Sequence, residues 1–353
     1  MGDDWGLPAD EDPSRRRRWW VAAIAVAVVL VVVGAMTVLV RGDDGDRIGP
    51  DDQALAARRD GATTSSVTAS TTSSTTTSTT TTTVPPTTAP PATDPPAAPP
   101  PRPPAAASAK KGVSVWDMTG LGAALDDVGA DWYYNWASGP TSGAGGAAEF
   151  VPMIWGARSV NADELGRAKA SGSTLLGFNE PDFDSQANMS VEQALDLWPQ
   201  LEATGMRLGS PAVAVGGADA GGWLDRFMSG ARQRGLRVDF ITLHWYGADF
   251  SSAAVGHLRN YIEAVHDRYG LPIWLTEYAL IRWEGGGSTF PTDAEQAAFV
   301  EGSTAMLQGL SYVERYAWFA LPTPDDEQGT GLYRHDTATP TPTPAGSSYR
   351  AAG

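Results

Sequence analysis

The chain has 353 residues, a formal net charge of −16 and no cysteine. The lack of cysteine excludes disulfides and thiolate metal sites. The acidic balance argues against nucleic acid or an anionic lipid surface as a partner, because phosphate groups bind to basic patches. The four histidines form no HExxH pattern and no close pair, so the sequence predicts neither a metal site nor a cofactor.

The first predicted element is a transmembrane helix over residues 19–40. The stretch is apolar throughout, and as a helix of 22 residues it would measure about 33 Å, enough to cross the hydrocarbon core of a bilayer. Four arginines at 15–18 precede it, so residues 1–18 are predicted to be a cytoplasmic tail and the rest extracytoplasmic. The alternative is secretion after cleavage of a signal peptide, although the apolar run is long for one and no clear A-x-A site follows it.

Residues 41–111 are predicted to be a disordered linker. Residues 61–83 are almost all Thr, Ser and Ala, and residues 85–104 are rich in Pro. Such a composition buries too little apolar surface to offset the entropy lost on ordering. The Pro-rich part favours an extended polyproline spacer, with or without O-linked sugars, that holds the C-terminal domain away from the membrane within the cell envelope.

Residues 112–353 alternate short aromatic-rich apolar runs with amphipathic stretches. Strands are predicted at 113–118, 132–136, 150–155, 174–179, 207–212, 240–245, 273–277 and 315–320. Helices are predicted at 162–170, 190–203, 222–234, 253–269 and 293–310, while the Gly-rich link 137–148 is the weakest unit. Strands that alternate with helices predict a parallel α/β sheet, and eight such units favour a closed (β/α)8 TIM barrel. An open doubly wound sheet is the alternative, but no G-x-G-x-x-G follows the first strand.

Two of the predicted strands end in a glutamate. The fourth ends in Asn179-Glu180-Pro181, and the seventh ends in Thr276-Glu277-Tyr278. Because the carboxyl ends of barrel strands form one rim, the two glutamates are predicted to face each other there. Cleavage of a glycosidic bond needs such a pair, one carboxyl protonated and one ionised, and a separation of about 5–5.5 Å gives the retaining reaction.

Aromatic residues near the predicted strand ends support a sugar substrate. Ten of the thirteen tryptophans lie after Gly112, and five of them are near strand ends: Trp116, Trp136, Trp155, Trp245 and Trp318. Sugar rings present apolar C–H faces that stack on indole, while their hydroxyls need polar partners. Trp155 is therefore predicted to contact the substrate, with Asn135, Asn179 and His244 as polar partners. Trp274 alternates with Leu275 and is predicted to point towards the helices, away from Glu277.

The strand-end motifs resemble those of the clan A glycoside hydrolases and, more narrowly, of glycoside hydrolase family 128. The resemblance covers about residues 112–353 and is carried by segments 176–182, 243–246 and 275–278. It implies endo-β-1,3-glucanase activity, with Glu180 as acid/base and Glu277 as nucleophile. It also implies that Asn179 holds the sugar 2-hydroxyl, that Tyr246 orients the nucleophile and that Trp318 forms a platform under the cleaved sugar.

The sequence therefore predicts a membrane-tethered, retaining, endo-acting glycoside hydrolase that cleaves a β-glucan, with β-1,3-glucan favoured. Its predicted partners are the polysaccharide substrate and, through residues 19–40, the cell membrane; it is predicted to be a monomer. One alternative is a non-catalytic glycan-binding module of the cell wall, against which the retention of both Glu180 and Glu277 argues. The other is the same chemistry on a different wall polysaccharide.

Overall fold

The computed structural model describes residues 110–284, 287–324, 329–337 and 339–352. The predicted cytoplasmic tail, the transmembrane helix and nearly all of the linker lie outside these residues. Among the residues that are described, no helix combines the length and the apolar character needed to cross a bilayer.

Eight parallel strands form the centre of the domain, and each overlaps a predicted strand. They are β1 (Lys111–Ser114), β2 (Trp132–Tyr134), β3 (Glu149–Phe150), β4 (Thr174–Leu175), β5 (Arg207–Leu208), β6 (Ile241–Gly247), β7 (Ile273–Leu280) and β10 (Val313–Trp318). Two further strands, β8 (Arg282–Glu284) and β9 (Gly287–Thr289), pair antiparallel directly after β7. This hairpin was not predicted.

The parallel strands are connected in a closed order. One sheet runs β3-β2-β1-β10-β7-β6, and β4 pairs with β5. Parallel bridges from Met153 to Leu176 and from Gly209 to Phe240 join β3 to β4 and β5 to β6. Each of the eight strands thus has a neighbour on both sides, and we call this arrangement the strand ring. Its order is the one that the barrel prediction requires.

Seven α-helices accompany the strand ring. They are α1 (Leu121–Val128), α2 (Ala162–Ser171), α3 (Val191–Glu202), α4 (Trp223–Arg234), α5 (Ala254–Tyr269), α6 (Asp293–Gly309) and α7 (Pro344–Ala351). Five match predicted helices, and α3 begins as expected, with the Ser190 side chain accepting from the Gln193 backbone N–H. Helices α1 and α7 have eight residues each and were not predicted. The link 137–148 forms turns and bends without a helix.

The interior of the strand ring corrects the prediction for Trp274. Its indole packs inside the ring against Trp132 and Phe240, with ring centroids 5.3 and 4.4 Å apart. The reason is a β-bulge, because Leu243 pairs with Leu275 but His244 pairs with Glu277, which leaves Thr276 as an extra residue. The extra residue reverses the alternation of side chains, so Trp274 and Glu277 both face the interior.

A cation closes the interior beside Trp274. The Arg315 guanidinium lies over the rings of Trp274 and Trp132, at 4.5 and 5.5 Å from their centroids. It also contacts the Glu149 carboxylate at 2.5 Å. Cation–π attraction and the ion pair both hold this buried charge. Side chains therefore fill the strand ring around Trp274, and the acid pair lies in another part of the domain.

Replacing Trp274 by alanine is expected to destabilise the domain by about 3–5 kcal/mol, because it leaves a large cavity inside the ring. Urea unfolding followed by far-UV circular dichroism measures the loss. Val215→Ala is the control, since Val215 is 63% exposed and a surface change of this kind costs at most about 0.5 kcal/mol. Equal midpoints for the two variants would contradict the role given to Trp274.

Candidate active site

Glu180 and Glu277 come together as the sequence predicted. Glu180 follows β4, Glu277 lies within β7, and a carboxylate oxygen of one is within 4.8 Å of a carboxylate oxygen of the other. Each residue is 5% exposed. Two acidic side chains distant along the chain thus form one buried pair that retains some contact with solvent.

Neighbouring strands hold the backbone around Glu180. The Glu180 N–H donates to the Ala212 carbonyl at 2.7 Å, and the Asn179 N–H donates to the Trp155 carbonyl at 2.9 Å. Glu180 itself has a left-handed φ of 43°, which is strained for a residue with a side chain and persists only where the surroundings hold it. These backbone hydrogen bonds therefore hold Glu180 in its strained conformation and fix the position from which its side chain extends.

Three aromatic side chains donate hydrogen bonds to Glu277. Trp136 Nε1 donates to Oε1 at 2.8 Å, and the Tyr246 hydroxyl donates to Oε2. The single proton of the Tyr134 hydroxyl is shared between Oε1 at 3.1 Å and the Thr276 carbonyl at 3.0 Å. Burial and the nearby charge of Glu277 raise the pKa of Tyr134 and Tyr246 well above the usual value. Both hydroxyls therefore keep their protons and act as donors to the carboxylate.

His244 lies between the two glutamates. Its Nδ1 is 2.8 Å from Glu180 Oε1, and its Nε2 is 3.4 Å from Glu277 Oε1 without the geometry of a hydrogen bond. The residue is 1% exposed. The acid pair and the surrounding core cover its ring in this structure, and substrate binding by His244 stays a prediction.

The charges of the site shift the pKa of both Glu180 and His244. Burial raises the pKa of the Glu180 carboxyl above its usual value, although the hydrogen bond and the charge of His244 offset part of this rise. Burial alone would lower the pKa of His244, but Glu277, Glu180 and Asp182 together raise it. Each of the two groups thus favours the charged form of the other, because His244 lowers the pKa of Glu180 and Glu180 raises the pKa of His244.

Glu180, His244 and Glu277 also offer atoms of the type that bind metal ions, all within 4.8 Å of one another. However, the imidazole ring lies between the acids and turns a different nitrogen to each of them. A single ion would need these ligand atoms to converge on one point. The arrangement suits an imidazole held between two acidic side chains better than a metal site.

Asn179 is 3% exposed, and its amide nitrogen is 3.4 Å from Gln186 Oε1. Its Oδ1 is buried and has no hydrogen-bond partner within the described part of the chain. A buried acceptor without a partner is costly, and this one immediately precedes Glu180. The predicted contact of Asn179 with a sugar hydroxyl would supply the donor that this oxygen lacks, and it stays a prediction.

The structure corrects the prediction for Trp318. The residue is fully buried, its indole N–H donates to the Thr330 carbonyl at 2.7 Å, and it packs on Tyr278, Phe299 and Tyr349. These contacts lie between β10, α6 and α7, so Trp318 cannot form a sugar platform. Alternation along β10 explains this, because Ala317 faces the ring interior and Trp318 faces outwards.

The aromatic residue at the site is instead Phe319, which was not predicted from the sequence. Its ring is half-buried and lies 5.6 Å from Tyr246, 5.9 Å from Trp136 and 6.2 Å from Trp116. Counting the alternation one residue past Trp318 would have found it. Tyr134 and Trp136 were also missed as partners of Glu277, although the enrichment of aromatics near strand ends indicated this region.

The predicted substrate contacts of Trp155 and Asn135 stay predictions. Trp155 is half-buried and packs against the interior of the strand ring, so contact with a substrate stays a prediction. Asn135 uses its amide on its own loop, donating to the Gly139 carbonyl at 3.1 Å and accepting from the Ala137 N–H at 3.2 Å. Its predicted role as a polar partner of the sugar is untested, and the observed contacts indicate a structural one.

A pair of carboxyl groups at this spacing, surrounded by aromatic rings, is typical of glycoside hydrolases as a class. A family model described as the glycosyl hydrolase catalytic core matches residues 116–349. The chain belongs to this family, and within it to glycoside hydrolase family 128.

Solved structures of family 128 match the domain. An endo-β-1,3-glucanase of subgroup I from Amycolatopsis mediterranei, solved as a variant in complex with laminarihexaose, is 63% identical; the match covers 69% of this chain and 99% of that one, with a TM-score of 0.66. An endo-β-1,3-glucanase of subgroup II from Sorangium cellulosum is 29% identical over the same shares, with a TM-score of 0.58.

A curated relative is similar over the same region. Alkali-sensitive linkage protein 1 of Schizosaccharomyces pombe is 36% identical over 234 residues, which are 64% of this chain and 41% of that protein. The chain therefore spans about two fifths of the length of this relative.

Proposed function

We propose that this glycoside hydrolase cleaves β-1,3-glucan internally and with retention of configuration, at the rim of a (β/α)8 barrel. The observation that carries the proposal is the closeness of the acid pair, since carboxylate oxygens within 4.8 Å agree with the spacing of about 5–5.5 Å in retaining enzymes. The inverting reaction needs room for a water molecule, with the carboxyl groups about 6.5–9.5 Å apart.

The solved relatives support the same two residues and the substrate. The Amycolatopsis mediterranei enzyme was solved with one or the other of two glutamates substituted, and these lie ninety-seven positions apart in that chain. Glu180 and Glu277 have the same separation. The ligands in those complexes are laminarihexaose, laminaritriose and laminaribiose, which are β-1,3-glucan oligosaccharides.

In the proposed first step, Glu180 gives its proton to the glycosidic oxygen while Glu277 attacks the anomeric carbon. The bond from carbon to the leaving oxygen breaks, and a covalent glycosyl-enzyme forms on Glu277. In the second step, Glu180 takes a proton from water, the water oxygen attacks the same carbon, and Glu277 leaves as a carboxylate. The raised pKa of Glu180 supports its role as the acid, because the group must carry a proton before the first step.

The surrounding residues fit the same reaction. The Tyr246 hydroxyl would keep Glu277 directed at the anomeric carbon, and the free Oδ1 of Asn179 would accept from the sugar 2-hydroxyl. Trp155 and Phe319 offer half-buried aromatic surface to the C–H faces of the glucan. In this proposal, the chain itself supplies every group that the reaction needs.

Incubation of the protein with laminarin tests the proposal. We expect new reducing ends, products of intermediate length at early times, and NMR detection of the β-anomer before mutarotation. Carboxymethylcellulose, which is β-1,4-linked, is the matched control polymer. Binding of laminarin without new reducing ends would instead favour a glycan-binding module. Cleavage of another wall polysaccharide but not of laminarin would show that β-1,3-glucan is not the substrate.

Substitution of His244 by asparagine is expected to move the alkaline limb of the pH profile of kcat/KM to higher pH. His244 lowers the pKa of Glu180, so removing its charge raises that pKa, and Glu180 keeps its proton to higher pH. The measurement is hydrolysis of laminarin across the alkaline range. His257→Asn, on the outer surface of α5, is the control. An unmoved or acid-shifted limb would contradict the proposed coupling.

We propose in addition that the catalytic domain is extracytoplasmic and held at the cell membrane through residues 19–40. The proposal rests on the apolar run and the arginines that precede it. Ultracentrifugation of lysed cells tests it, because full-length protein in the soluble fraction would rule out the anchor.

A further inference from the structure

We propose that Trp136 is a positioning residue for the nucleophile and that it determines which oxygen of Glu277 attacks. The inference rests on the proposed role of Glu277. Its first support is the contact itself, because Trp136 Nε1 donates to Glu277 Oε1 at 2.8 Å. An indole N–H can only donate, so in this contact Trp136 is the donor and Glu277 the acceptor at every pH.

The two oxygens of Glu277 have different numbers of donors. Oε1 accepts from Trp136 and from Tyr134, whose single hydroxyl proton it shares with the Thr276 carbonyl, whereas Oε2 accepts from Tyr246 alone among the described residues. A carboxylate oxygen has about two lone-pair directions. Trp136 and the shared contact from Tyr134 therefore engage Oε1 more fully than Tyr246 engages Oε2, and Oε2 retains a lone pair for the anomeric carbon.

The conformation of Trp136 indicates that its place is specified by the fold. Its φ is 57°, in the left-handed region that a bulky residue rarely adopts unless its surroundings hold it there. Asn135 holds the turn on one side by bonding to Ala137 and Gly139, and the Met153 N–H donates to the Ala137 carbonyl at 2.9 Å. Asn135 thus serves the nucleophile through Trp136.

Ring contacts restrict the indole further. Trp116 stacks on Trp136 with an interplanar angle of 21°, and Phe319 and Tyr134 contact it in edge-on geometry at 5.9 and 5.2 Å. An indole enclosed on several sides cannot turn away from Glu277 without moving its neighbours. The hydrogen bond therefore limits the rotation of the carboxylate before attack.

Substitution of Trp136 by phenylalanine tests the inference, since it retains an aromatic ring but removes the N–H. A 2-deoxy-2-fluoro-β-laminaribiosyl fluoride labels the nucleophile covalently, and mass spectrometry gives the labelled residue and the rate. We expect labelling of Glu277 and kcat on laminarin to fall by about 10- to 100-fold, because a misdirected nucleophile costs that order of rate. KM should change less than about threefold, and the loss in kcat should be the same across the pH range.

Trp223→Phe is the matched control, because Trp223 on α4 also donates its indole N–H, to the Met189 carbonyl at 2.9 Å, outside the acid pair. Its labelling rate should equal that of the wild type. If Trp136→Phe proves unstable, Asn135→Ala leaves the indole in place and should lower kcat, with KM retained, by loosening the turn.

The outcomes separate the inference from the proposed function. Label on Glu277 at the wild-type rate in both Trp136→Phe and Asn135→Ala would overturn the inference and leave the proposed function intact. A rise in KM with kcat unchanged would also overturn it, since Trp136 would then be only a substrate-binding residue. Label on a residue other than Glu277 in the wild type would remove the proposed function itself.

Discussion

Replacing Glu277 by alanine is expected to lower kcat on laminarin on the order of 10⁴- to 10⁶-fold, the size of loss seen when a covalent nucleophile is removed. In the proposed reaction the carboxylate forms the bond to the anomeric carbon, and the side chains that contact it cannot replace it there. Tyr134, Trp136 and Tyr246 all donate to Glu277, and none carries an ionised oxygen. Initial rates of reducing-end formation measure the loss.

Azide provides a second measurement for the Glu277→Ala variant. The shorter side chain leaves room below the anomeric carbon, so azide can enter and form an α-glycosyl azide from an activated laminaribiosyl fluoride. Recovery of this product, with inverted configuration, would identify the face on which Glu277 acts. Glu192→Ala is the control, because Glu192 is an exposed acid in the first turn of α3. Wild-type activity in Glu277→Ala would remove Glu277 from the reaction.

Replacing Glu180 by glutamine is expected to lower kcat on laminarin by about 10²- to 10⁴-fold, the usual contribution of a general acid. The glucan leaving group is a poor one and needs the proton. A laminaribiosyl fluoride needs little protonation, so its first step should proceed at a rate close to that of the wild type. The second step should be slow, because no base remains to activate water, and the glycosyl-enzyme should accumulate on Glu277.

A burst of fluoride release followed by a slow steady rate would show this accumulation. The alkaline limb of the pH profile should also disappear in Glu180→Gln. Burial raises the pKa of Glu180, and in the wild type activity falls as the pH rises through that pKa and the acid loses its proton. Glutamine does not titrate. Equal losses on laminarin and on the fluoride would contradict the assignment of Glu180 as the acid, and Glu192→Gln is the matched control.

The order of elements could be predicted from local pattern. Aromatic and β-branched runs marked all eight parallel strands, and helical spacing marked five of seven helices. Helix α1 was missed because it is short and has Gly120 at its N-cap, which offers no capping side chain. Helix α7 was missed because it is a short helix that begins at Pro344 after a segment rich in threonine and proline.

The sequence by itself determined which two acidic side chains come together. Asn179-Glu180-Pro181 and Glu277 were predicted to end two parallel strands, and parallel strands bring their carboxyl ends to one side. The order of the strands alone was enough to predict that Glu180 and Glu277 lie close together.

Only the tertiary structure decided which side chains face this pair. The bulge at Thr276 is a property of the pairing between β6 and β7, and it moves Trp274 to the interior on the same side as Glu277. On β10, Trp318 points outwards and packs between the ring and the helices, so the next residue, Phe319, points towards the site. His244 lies between Glu180 and Glu277 because β6 carries it to the point where the residue after β4 and a residue of β7 meet. Side-chain direction at such points depends on long-range pairing, which local alternation does not contain.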